Sequence, residues 1–118
     1  MARLDIRQES SRHSQLISEF IKKRYKKNYL KMSEKEKIQF LKTLILSKKN
    51  QINKFKFKNK ENKEVWSTFK ILANEPAECL GAYVISMTTS ASDILSVSFL
   101  QKEAQIKNKL RVVPLFET

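Results

Sequence analysis

The sequence holds one glycine (Gly81), one cysteine (Cys79), one histidine (His13) and two prolines in 118 residues. Each scarcity closes off a class of function. A phosphate-cradling loop needs several glycines within a few residues, so that backbone N–H groups can approach the ligand. One glycine supplies no such loop, nor the glycine-flanked serine of a nucleophile elbow. A lone cysteine cannot close an internal disulfide, which fits a reducing compartment and a cytoplasmic protein. With a single histidine beside it, the Cys/His spacings of a zinc site are absent. Cys79 reads as a small buried filler rather than a reactive thiol. No apolar run reaches the roughly 20 residues that cross a bilayer. The opening MARLDIRQES lacks the apolar core of a secretory signal.

What the chain has in excess is positive charge, a net of +12. Residues 22–63 hold sixteen Lys or Arg against three Glu, a net of +13, and the remainder nets −1. The basicity therefore belongs to one segment. Its interleaved aromatics Phe55 and Phe57 are too few for a base-stacking platform, so it reads as a solvated basic face. A small basic nucleic-acid-binding protein is the alternative reading, and nucleic acid is not the expected partner. A hydrophobic content of 41% supports one small core.

Periodicity organises the rest. Leu4 and Ile6 alternate with charged residues in Ala2–Gln8, a strand pattern. Leu16, Ile17, Phe20, Ile21 and Tyr25 recur at helical steps and predict a helix over His13–Tyr29. Ser33 and Glu36 form a capping box before a second helix, which carries Ile38, Leu41, Leu44 and Ile45 on one face. Asn50–Lys63 reads as an exposed connection. A third helix begins near Glu61, turns Val65, Trp66, Phe69 and Leu72 inward, and stops or kinks at Pro76. Gly81–Met87 is a short β-rich apolar run, a buried strand. A fourth helix spans about Ser92–Ala104, capped within Ser90–Asp93, with Ile94, Leu95, Val97 and Leu100, and Lys107–Lys109 breaks it. LRVVPLF (Leu110–Phe116) is a third strand, whose regular pairing is expected to end at Pro114.

Strands alternating with helices argue for parallel pairing through helical crossovers. Three strands cannot close a barrel, and both chain ends abut a strand, so the chain is expected to be a piece of a larger domain. Functional residues in such folds gather at the C-terminal ends of strands. Here those are Arg7, Gln8 and Glu9; Ser86, Met87 and Thr88; and Glu117 and Thr118. An arginine fork suits phosphate or carboxylate, and a neighbouring carboxylate suits Mg²⁺. The pattern alone allows an anion-plus-Mg²⁺ site, and it equally allows ordinary strand-end ion-pairing residues. His13, at the start of a helix, reads as a structural hydrogen-bond partner rather than a general base.

Four stretches carry a resemblance. LDIRQESSRH (Leu4–His13), AYVISM with SDIL (Ala82–Met87, Ser92–Leu95), QKEA (Gln101–Ala104) and RVVPLFET (Arg111–Thr118) resemble segments of the phosphoenolpyruvate carboxylases, in that family's order and at about its spacing. The resemblance implies an α/β fold: a partial TIM-like β/α barrel with helix-rich insertions, three parallel-type strands and about four helices. Residues 1–118 would be a single fragment of the barrel domain, with 22–63 a basic helical and loop segment within it.

The implied function is carboxylation of phosphoenolpyruvate with bicarbonate, giving oxaloacetate and phosphate in an Mg²⁺-dependent, anaplerotic reaction without biotin. The resemblance makes Arg7 the counterpart of a substrate-binding arginine and Glu117 the counterpart of a metal ligand. It implies phosphoenolpyruvate, bicarbonate and the remaining parts of the enzyme as partners, a homotetramer, a cytoplasmic location and no membrane. The family's TAHPT motif with its essential histidine, its GYSDSxKDxG motif and its later glycine- and arginine-rich loop are absent here. No catalytic set is complete in the chain, and His13 does not replace the missing histidine.

Overall fold

The structure is a computed structural model that describes residues 4–76, 80–107 and 109–116. Strand β1 (Leu4–Glu9) leads directly into helix α1 (Ser10–Tyr25). Helices α2 (Glu34–Leu46) and α3 (Lys60–Ala73) follow, then β2 (Leu80–Thr88), α4 (Ala91–Glu103) and β3 (Arg111–Phe116). The described residues thus form an α/β unit of four helices and a three-stranded parallel sheet, ordered β1-β2-β3. None of the helices is long and apolar enough to cross a membrane.

Helix α1 starts earlier and stops earlier than its apolar spacing predicts. Lys26 adopts a left-handed conformation (φ 59°) and donates its N–H to the Lys22 carbonyl, which closes the helix. Lys22, Lys23 and Arg24 in the last turn offset the negative end of the helix dipole. The chain then tucks Tyr29 into the core through a 3-10 turn, Tyr29–Lys31. The capping box at α2 forms in both directions. The Ser33 hydroxyl accepts from the Glu36 N–H at 3.2 Å, and the Glu36 carboxylate accepts from the Ser33 N–H at 3.2 Å.

The expectation of an exposed connection over Asn50–Lys63 is corrected. Ile52 is 0% exposed and Phe57 4%, and a 3-10 turn spans Ile52–Lys54. In the FKFK stretch, Phe55 and Phe57 turn inward while the lysines stay outside. No strand pairs with this segment among the described residues, so carboxylates from the helices satisfy its backbone instead. Glu103, itself buried, accepts from the N–H groups of Gln51 (2.7 Å) and Ile52 (2.9 Å). Glu19 accepts from the Lys58 N–H at 2.6 Å.

Helix α3 buries Val65, Trp66, Phe69 and Leu72 as its periodicity predicts, and ends before Pro76. Helix α4 is buried nearly all round. Val97 and Leu100 are in the core, but so are Phe99, Ser96, Gln101 and Glu103, while Ile94 and Leu95 are only half-buried. It ends at Glu103, ahead of Lys107–Lys109, where Gln105 takes a φ of 60°.

Strand β2 is central, with β1 and β3 on either side. Ile6 pairs with Tyr83, and Tyr83 with Val112. Tyr83 and Ile85 belong to one apolar cluster with residues of all four helices, and Ile6 and Val112 pack against it. The helices therefore share one face of the sheet. Pro114 pairs with Ile85, and the register slips between Ile85 and Thr88. A proline cannot donate to the ladder, so regular pairing ends there as expected.

Candidate functional site

Parallel pairing brings strand ends together. Gln8 stands beside Ile85, Glu9 beside Ser86 and Thr88 beside Phe116. Two of the three residue sets expected to carry chemistry are therefore adjacent. Glu117 and Thr118, the third set, lie outside the described residues, as does Cys79.

Side chains alternate across a strand, so the pairing divides the sheet into two faces. Ile6, Tyr83, Ile85 and Val112 point toward the helices. Arg7 pairs with Val84, and Val84 with Val113, on the opposite face. No helix among the described residues packs on that face. Arg7 is exposed there, and among the described residues it makes no ion pair. Two strand spacings, roughly 10 Å, separate Arg7 from Val113. Asp5 is tied down, its carboxylate accepting from the Ala82 N–H at 2.8 Å.

The rim above this face is held by short contacts. Met87 sits at φ 58° and is half-exposed. A left-handed conformation costs a non-glycine residue roughly 1–2 kcal/mol. It is retained where the carbonyl of Met87 accepts from the Ser10 hydroxyl at 2.9 Å, which ties the start of α1 to the end of β2. The first turn of α4 is closed internally. Asp93 accepts from the N–H groups of Thr89 (2.9 Å) and Ser90 (3.2 Å). Glu34 accepts from the Ser92 N–H (2.9 Å) and hydroxyl (2.7 Å). The positive end of α4 is thus already matched to carboxylates of the chain itself.

His13 lies behind the rim, fully buried. Its Nε2 is 2.6 Å from the Tyr83 hydroxyl, and Nδ1 is buried with no partner among the described residues. Phe69 and Tyr83 wall the ring. Burial pulls the imidazole down from 6.5 to about 4, against the opposing pull of the Asp93 charge. Burial also pushes the Tyr83 phenol up. A neutral, enclosed ring bonded to a phenol is a structural hydrogen-bond partner, in line with the sequence reading. Tyr83 as its partner was hidden inside an apolar run. Glu34 was hidden as well, since its reach across 58 residues leaves no local trace.

Among the described residues, no group of three or more His, Cys, Asp or Glu side chains gathers to hold a metal. Asp93 is committed to its cap, and Mg²⁺ requires several oxygen ligands. The described residues alone do not make an Mg²⁺ site.

The phosphoenolpyruvate carboxylase family matches this chain over residues 1–118. The C4 phosphoenolpyruvate carboxylase of Flaveria trinervia is 43% identical over 117 residues, covering 99% of this chain. Phosphoenolpyruvate carboxylase 3 of Arabidopsis thaliana is 42% identical over 118 residues, and phosphoenolpyruvate carboxylase 1 of Sorghum bicolor is 39% identical over 117. The chain spans 12% of the length of these relatives. A match that runs through the strands, the lysine-rich middle and the last helix alike shows that the chain belongs to the phosphoenolpyruvate carboxylase family.

Proposed function

We propose that the chain serves as one segment of an enzyme that joins bicarbonate to phosphoenolpyruvate, giving oxaloacetate and phosphate. The observation that carries this reading is Arg7 on the uncovered sheet face, within a chain that matches the family throughout its length. Phosphoenolpyruvate, bicarbonate and the enolate between them are all anionic. A fixed guanidinium aimed at such a species stabilises charge without reorganising. Arg7 is the group assigned to that task here, and Glu117 is assigned to the divalent metal, with further ligands supplied from outside the described residues. Mg²⁺, when bound, would supply charge neutralisation.

The barrel is part of the same proposal. Sequential strand order with every helix on one face is the arrangement that progresses around a β/α barrel. In doubly wound sheets the order reverses and helices cover both faces. The exposed face bearing Arg7 then corresponds to the barrel interior, residues 1–118 form one piece of the barrel domain, and 22–63 is an elaboration of its first crossover. A cytoplasmic location and a tetrameric assembly complete the proposal.

The test is oxaloacetate formation from phosphoenolpyruvate and bicarbonate. The 118-residue chain alone should show none, because no catalytic set is complete in it. Co-expression with the remaining parts of a family enzyme that lacks this segment should restore activity. Turnover by the chain alone refutes the proposal, as does failure of a correctly assembled complex to react.

A further inference from the structure

The lysine-rich segment does more than line the outside of the first crossover. The C-terminal turn of α1, the loop after it and the segment around Phe55–Lys58 border an open surface cleft of about 900 Å³. Lys22, Lys23, Lys26, Lys27, Lys56 and Lys58 line it. Nothing in the carboxylation reading uses these residues, and they stand apart from the sheet face that bears Arg7.

Three features of the cleft narrow what it can hold. The first is unbalanced charge. Glu19 is its one acidic lining residue, and that carboxylate is already occupied. It accepts from the backbone N–H groups of Lys58 (2.6 Å) and Asn59 (3.4 Å) and from the Asn62 amide (2.7 Å). None of the six lysines forms an ion pair among the described residues. Crowded ammonium groups without counter-charge create a local positive potential that attracts anions. The carbonyl end of α1 opposes this with a partial negative charge of roughly one half, which the lysines of that same turn exceed.

The second feature is the absence of arginine from the lining. Arg24, the nearest in sequence, is bonded to Gln51 at 3.1 Å. The guanidinium fork matches carboxylate and phosphate alike, whereas lysine binds phosphate as a point charge, so this lining selects by total negative charge rather than by planar fit. The third feature is shape. The cleft lies in the size range of small-ligand sites, roughly 300–1,000 Å³. Phe55 gives it a fixed apolar wall, its ring held edge-on against Phe20 (5.4 Å) and Phe57 (4.8 Å).

We infer that this cleft is a binding site for a compact anion carrying several phosphates. A linear oligophosphate fills the charge requirement within the available volume, and a single phosphate leaves most of the lysines unmatched.

Inorganic tripolyphosphate is the probe. Calorimetric titration of the 118-residue chain should show saturable binding with one ligand per chain. Lys23→Gln with Lys56→Gln, one from each side of the cleft, should weaken binding by about tenfold or more. Lys70→Gln with Lys107→Gln removes the same charge elsewhere and should change it less than about twofold by the same reasoning. Thermal unfolding of each variant separates lost binding from lost folding. A labelled oligothymidylate should bind no better than tripolyphosphate and be displaced by it. Non-saturating binding, equal losses from both double variants, or tight oligothymidylate binding that tripolyphosphate cannot displace would each overturn the assignment.

Discussion

Acid should destabilise this fold through its only histidine. In the folded chain the His13 imidazole is held down at about 4 by burial, although Asp93 favours its charged form. In the unfolded chain it returns to about 6.5. Between these values the unfolded state binds the extra proton, so stability must fall as pH falls. The contribution is fully present above about pH 6.5 and is lost progressively down to about pH 4, by about 3 kcal/mol on 1.36 kcal/mol per decade. His13 is the one histidine in the sequence, so a single set of imidazole resonances reports it. Those resonances should titrate near 4 in the folded chain and near 6.5 in urea. Urea unfolding of wild type and of His13→Leu/Tyr83→Phe supplies the energetic test. The double substitution removes both partners of the 2.6 Å contact, which costs less than orphaning either one. The variant should lose about 3 kcal/mol less stability than wild type between about pH 7 and about pH 4. Titration near 6.5 in the folded chain, or equal losses in both proteins, would refute the reasoning.

The corrected lysine-rich connection makes its own prediction. Ile52→Ala or Phe57→Ala should each cost about 2–5 kcal/mol in urea unfolding, as core truncations do, whereas a solvated linker would lose almost nothing. Glu103→Gln weakens the carboxylate that holds Gln51, Ile52 and Lys102 together. Breaking such a buried pair should cost about 3 kcal/mol, read from the same denaturation curves. Ser33→Ala removes one half of the α2 capping box and should cost about 1 kcal/mol, with a matching drop in thermal midpoint. Unchanged midpoints would show that the α2 terminus is held by its packing instead.

The elements whose signal is local were legible in the sequence. Ser33 and Glu36 sit three residues apart, so their box could be read directly, and it forms at both hydrogen bonds. The apolar run around Tyr83 and Ile85 identified the central strand, and the helical spacing of Val65, Trp66, Phe69 and Leu72 identified the buried face of α3. Pro114 marked the end of regular pairing because the missing N–H is a property of the residue itself. Features set by distant partners were not legible. FKFK has strand periodicity, yet the N–H of its Lys58 goes to Glu19 of α1, and the Gln51 and Ile52 N–H groups just before it go to Glu103 of α4, about 40 and 50 residues away. The early stop of α1 depends on Lys26 taking a left-handed turn, which lysine does not advertise. The place of Arg7 on a strand end followed from pattern, but its exposure on the uncovered face required the register with Val84.

The central claim is that Arg7 belongs to a phosphoenolpyruvate site, and the most direct measurement is steady-state oxaloacetate formation by an intact family enzyme carrying this segment with Arg7→Ala. Removing one preorganised charge-stabilising group should lower kcat/KM for phosphoenolpyruvate by about 100-fold or more, while thermal unfolding of the variant stays close to that of the parent. Full activity of the folded variant would contradict the assignment of Arg7 to the substrate.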